Sequence, residues 1–122
     1  MPKSKLVFRL RPVDAGDMGV FATADIPKGT YLPLFREGDY HLYQHKTIEH
    51  MPDWEYFASF CVRDSFGYHG PKDFNQMSVG WYIRHADSPT AVHRNYRYYA
   101  VRDIKAGEEV TVDHHTLEDD RW

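Results

Sequence analysis

A chain of 122 residues with formal net charge −3 is long enough for one compact domain with a modest core, and that balance argues against general nucleic-acid binding while leaving a short basic peptide open as a partner. Nine Tyr, seven Phe and three Trp exclude disorder of the whole chain. A lone cysteine, Cys61, excludes an internal disulfide framework and a cysteine-based zinc cluster.

A single thiol suits a reducing compartment, so a cytoplasmic location is expected. The opening stretch "MPKSKLVFRLRP" is interrupted by Arg9 and Arg11 and has no apolar run of signal-peptide length. No stretch is long and apolar enough to span a membrane, so no membrane partner is expected.

In chain order, residues 5–36 read as strands. "KLVFRLRP" alternates, and "GVFATADIPKGTYL" carries β-branched and aromatic residues around a turn. Residues 47–63, "TIEHMPDWEYFASFCVR", are the one helical candidate, with Ile48, Met51, Phe57, Phe60 and Cys61 partly fitting a 3.6-residue period. Pro52 fits only a first turn, which predicts a helix over 52–62. Residues 64–80 are rich in Gly, Asp, Pro and Asn and read as loop with short strands. Strand character returns at 81–84, 96–102 and 109–113. In "GEEVTVDHH", Val110 and Val112 alternate with Thr111 and Asp113, which predicts His114 on the apolar face and His115 on the other. No linker-like segment divides the chain, which is expected to be one domain over 1–122.

One pattern occurs twice. "FATADIPKG" (21–29) and "YAVRDIKAG" (99–107) share aromatic-Ala-x-x-Asp-Ile-x-x-Gly. Each reads as a strand, a turn that Asp and Gly close, and another strand. Gly29 and Gly107 are expected at positive φ, and Ile104, Val110 and Val112 in the core.

Three stretches in order, "GDMGVFATADIPKG", "WYIRHADSPT" (81–90) and "YYAVRDIKAGEEVTVDHH" (98–115), resemble a SET domain, the fold of protein-lysine methyltransferases. The resemblance covers most of the β part of the chain. It implies a mainly β, β-clip fold with a C-terminal pseudoknot and a short helical insert. It also implies S-adenosylmethionine on one face and a protein or peptide lysine entering from the other through a narrow channel. The family's glycine motif is represented by Asp17-Met18-Gly19, with Asp17 in place of the first glycine. Backbone near Met18 and Gly19 would then contact the cofactor. Arg84 and His85 stand for the family's Asn-His pair at the cofactor's adenine end, with His85 and Pro89 matching and Arg84 replacing the asparagine. His114 replaces the family's catalytic tyrosine. Tyr82 and His93 are expected in the substrate channel, and Trp122 either as an aromatic lid over the site or as a frayed end.

Methyl transfer to lysine needs a neutral amine, although a free lysine has a pKa of about 10.4. Apolar walls favour the neutral form by desolvation, and alignment of the reacting groups supplies much of the rate. His114 stands open as a general base or as a strand-end histidine with one buried hydrogen bond. The Arg84 guanidinium would stack on adenine or occupy the pocket. No His spacing suits a metal site. "LEDD" (117–120) reads as a solvated tail. Three functions follow: an S-adenosylmethionine-dependent lysine methyltransferase, a binding module on the same scaffold without turnover, or a small-molecule enzyme with His114 as base.

Overall fold

The computed structural model describes residues 8–14, 16–94 and 97–114. Strands β1 (Phe8–Pro12) and β2 (Met18–Ala22) form an antiparallel hairpin with Leu10 opposite Val20. Its turn is closed by the Asp17 N–H donating to the Asp14 carbonyl at 2.9 Å and the Val13 N–H donating to the Asp17 carbonyl at 3.0 Å. There follow β3 (Tyr31–Leu32), β4 (His41–Tyr43), helices α1 (His45–Glu49) and α2 (Trp54–Ala58), β5 (Val62–Asp64) and β6 (Gly67–Gly70). A 3₁₀ turn (Val79–Tyr82) leads into β7 (Arg84–His85), then β8 (Ala91–Arg94), β9 (Arg97–Ala100) and β10 (Glu109–Val112).

The strands make three small sheets, ordered β1-β2-β10-β7, β3-β9-β8 and β4-β6-β5. The core lies between the first two. Val20, Ala22, Leu32, Tyr98, Ile104, Val110 and Val112 are buried there, so the predicted core positions 104, 110 and 112 hold. Among the described residues, only β10 has partners on both sides from such distant parts of the chain: antiparallel β2 and parallel β7. This central place is what the expected C-terminal crossing requires. Residues 115–122, with His115 and Trp122, lie outside the described residues.

The repeated pattern folds onto itself. Ile26 and Ile104 exchange both backbone hydrogen bonds, at 2.7 and 2.8 Å. Asp103 Oδ1 accepts the Lys28 N–H, and Asp25 Oδ1 accepts the Ala106 N–H, both at 2.8 Å. The Gly29 N–H donates to the Ala100 carbonyl and the Gly107 N–H to the Ala22 carbonyl, again both at 2.8 Å. Each of these bonds has its counterpart in the other copy, a local two-fold arrangement. The two glycines take φ of +86° and +90°, the left-handed region that penalises a side chain.

The helical segment differs from expectation. In place of one helix over 52–62 there are two of five residues, split at 50–53. Pro52 has no N–H to continue α1, and Asp53 takes φ +57°, which no continuous right-handed helix allows. The stretch 81–84 is not one strand: Trp81 and Tyr82 close the 3₁₀ turn, and strand geometry begins at Arg84. The loop-like segment 64–80 contains β6, which is buried along its whole length. Among the described residues no helix is long and apolar enough to cross a membrane.

Candidate active site

Two cavities meet at one wall. The larger, of about 570 Å³, is bordered by Asp17 and Met18 of the hairpin turn, by Tyr56 of α2, and by Tyr82, Arg84 and His85. The smaller, of about 270 Å³, is bordered by Phe35, Cys61, Arg63 and Tyr98. Ser59, Phe60, Trp81, Ile83 and His114 line both.

The wall is held from behind. Trp81 packs edge-on against Phe35 with centroids 4.9 Å apart, and Phe35 stacks on Tyr98 at 5.7 Å. The Trp81 indole N–H donates to Asp39 Oδ2 at 3.2 Å. Asp39 is buried and also accepts the Ser78 N–H at 2.8 Å, the Ser78 hydroxyl at 2.5 Å and the Lys72 N–H at 3.1 Å. Burial acts to raise its pKa. The hydrogen bonds from Ser78, Lys72 and Trp81 outweigh that and hold the carboxyl below its ordinary value. Phe60 reaches the wall from just beyond α2 and meets Tyr82 edge-on at 5.2 Å.

Arg84 is fully engaged. Its Nε and Nη2 donate to Glu109 Oε2 and Oε1 at 2.7 and 2.8 Å, a planar two-point pair, while Nη1 lies 3.5 Å from Asp14. The Glu109 hydrogen bonds, opposed by partial burial and helped by both carboxylate charges, push the Arg84 pKa upward. Gly19 does not border either cavity. A Cβ there would lie 2.5 Å from Glu109 Oε2, so its absence is what lets the carboxylate lie flat against β2.

His85 and His114 meet at the end of β10. The strand stops at Val112, so His114 is exposed and does not continue the face of Val110 and Val112 as the alternation predicts. The physical reason is that the His114 N–H leaves the ladder and donates to His85 Nδ1 at 3.1 Å. With Nδ1 accepting, the proton of a neutral His85 ring is on Nε2, 3.1 Å from Asp87 Oδ1. The two rings lie 5.6 Å apart. Since Ala86 N–H bonds the Val112 carbonyl, the backbone groups of His85 itself face away from β10.

Of the sequence-predicted residues, Met18, Tyr82, Arg84, His85 and His114 converge on the larger cavity. Tyr82 borders that cavity and not the smaller one. His93 borders neither: the alternation of β8 turns it into the core, where it sits opposite Tyr98 with rings 5.0 Å apart, behind the wall. Cys61 borders the smaller cavity, and burial pushes its thiol up to about 11. Among the described residues no group of three or more His, Cys, Asp or Glu is placed to hold a metal. Sequence reasoning missed Asp39, Glu109, Phe35 and Phe60 as parts of the site. Only Glu109 and Phe60 lay within motifs that had been singled out.

Comparison with known proteins identifies the fold. The SET domain family model matches residues 17–115. A solved structure of a Plasmodium falciparum protein, provisionally named a histone methyltransferase, is 16% identical over 87% of this chain and 90% of its own, with a TM-score of 0.58. No curated protein matches the sequence. With a match that spans nearly the whole described fold, the mainly β arrangement of β1–β10 is a SET fold, and the chain belongs to the SET domain family.

Proposed function

We propose that the larger cavity binds S-adenosylmethionine and that the smaller admits a lysine side chain of a protein or peptide, making the chain a lysine methyltransferase. One observation carries this reading: two adjoining cavities share Ser59, Phe60, Trp81, Ile83 and His114 in their linings. The larger cavity fits the cofactor in size and chemistry. Its volume lies in the range of small-molecule sites, it offers Trp81, Tyr82 and Phe60 for a flat ring, and it offers polar groups at its rim.

Bound there, S-adenosylmethionine supplies an electrophilic methyl group. Met18 and the outward backbone of His85 border the space it would fill. The Arg84 guanidinium is held against Glu109, which favours a wall role over stacking on adenine. Phe35, Val62 and Ile83 are among the apolar residues that line the smaller cavity, and the desolvation they impose favours the neutral amine. Arg63 at the same cavity adds a positive charge that acts in the same direction. In this reading His114, which lines both cavities, accepts the proton that the amine sheds on entry. A cytoplasmic setting belongs to the same reading, with Cys61 kept as a thiol.

The second reading, a binding module, is favoured by the imidazole at 114 where the family has a phenol. Calorimetry with S-adenosylmethionine and a methyl-transfer assay on mixed lysine peptides across pH 5–9 separate the readings. Heat of binding together with transfer that is lost in His114→Ala supports the enzyme with His114 as base. Binding without transfer, in wild type and in His114→Tyr alike, supports the module. Absence of both heat and thermal shift at millimolar ligand removes the cofactor from the account.

A further inference from the structure

We propose that the larger cavity selects its ligand by charge, holding a cationic sulfonium in preference to the neutral thioether that differs from it by one methyl group, and that Asp17 sets this preference. The inference rests on the cavity being the S-adenosylmethionine site and concerns what this chain's own charges do there.

Arg84 is the one Lys or Arg among the described residues bordering this cavity. Its charge is met at close range by Glu109, with which it shares two hydrogen bonds, and Asp14 stands 3.5 Å from Nη1. A guanidinium so matched projects little net positive field into the space beside it. Asp17 is different. It borders the same cavity, and among the described residues its carboxylate has no hydrogen bond and no ion pair. Its backbone is fixed by the two turn hydrogen bonds that close the hairpin, so this exposed residue borders the cavity from a hydrogen-bonded turn. Arg84 is outnumbered by Glu109, Asp14 and Asp17, so the charges around this side of the cavity are net negative, and Asp17 adds its charge at a position where a glycine would supply none.

A methylated sulfonium and its demethylated thioether share every other atom, so the ratio of their affinities reads this field with little else. One carboxylate some 7 Å from a unit charge in a water-like dielectric is worth a factor of about three, and salt diminishes it. A site that favours the charged form also releases the neutral one, so the same residue would limit inhibition by the demethylated product.

The test is calorimetry on the full chain with S-adenosylmethionine and, separately, S-adenosylhomocysteine, at 20 and 300 mM NaCl, for wild type and Asp17→Asn. The expected result is a wild-type preference for the sulfonium of about threefold or more at low salt, falling at high salt. Asp17→Asn should reduce that preference about threefold at low salt. Equal affinities in wild type at low salt, or a ratio that Asp17→Asn does not move, overturn the inference and leave the cofactor reading standing. No binding of either ligand overturns both.

Discussion

A single hydrogen atom at position 19 decides whether Arg84 keeps its partner. A methyl there would sit 2.5 Å from Glu109 Oε2 and 3.1 Å from both Glu109 Cδ and Val13 Cγ1, and β2 cannot retreat because it is paired on both sides. Gly19→Ala should therefore displace Glu109 and cost about 1–2 kcal/mol in urea unfolding, the range for charge-assisted hydrogen bonds that are partly exposed. In that background Arg84→Asn should cost little more, since the pair is already broken. Full additivity in the double-mutant cycle would show that the two residues are uncoupled. Gly19 could be read from sequence as a glycine the turn region needs, yet what it accommodates is a carboxylate from the far end of the chain, which no local pattern reveals. Cys61 offers a second check at this scale. With its thiol pushed up to about 11, the reactive thiolate is scarce at neutral pH. Native protein should react with iodoacetamide far more slowly than urea-unfolded protein, and equal rates by mass spectrometry would show the thiol to be open.

Elements differ in how much of their stability is local, and that decides which of them the sequence discloses. The two Asp-Ile-x-x-Gly corners were legible because each turn is written in consecutive residues. That they clasp each other was not, because the acceptor for each corner lies in the other copy. The clasp makes a graded prediction. Asp25→Ala and Asp103→Ala should each cost about 1 kcal/mol, by loss of one backbone donor's partner at an exposed site. Ile104→Ala, at a fully buried position, should cost about 3 kcal/mol through lost burial and a residual cavity. If the aspartates prove as costly as the isoleucine, the corners depend on their hydrogen bonds more than on their packing. The strands β4 and β8 escaped the sequence reading for a related reason. "HLY" and "AVHR" are too short to show a period, and their geometry comes from pairing with β6 and β9. The 52–62 helix was over-read because aromatic spacing outweighed what Pro52 and Asp53 impose.

Across the whole molecule, the site is assembled from residues 16–18, 35, 56, 59–63, 80–85, 98 and 114, so the cavities exist only once all three sheets have met. The motif-bearing part, 82–85 and 114, was legible; the walls from Phe35 and Phe60, and Asp39 behind them, were not, since packing and not spacing brings them in. Asp39 links the β4–β6–β5 side to the wall and gives the molecule an acid-sensitive fastening. Its folded pKa lies below the unfolded value of 3.8, so the stability it contributes is fully present above that value and is lost as pH falls through the folded one. Wild type should exceed Asp39→Asn in urea midpoint by a constant margin between pH 5 and 8, and the margin should shrink below pH 4. A margin that persists at pH 3 would show that the carboxylate charge is not what matters. The same long-range assembly governs how the chain reaches this state. Strand β2 finds its inner neighbour only when residues 109–112 have been made, and Ile26 waits for Ile104. Few of the decisive pairings are near in sequence, so loop-closure entropy must be met before the core rewards it, and folding should be slow for a chain of this size. During synthesis the β1–β2 hairpin emerges early with an unpaired apolar edge, and until β10 arrives it is the part of the molecule most exposed to aggregation.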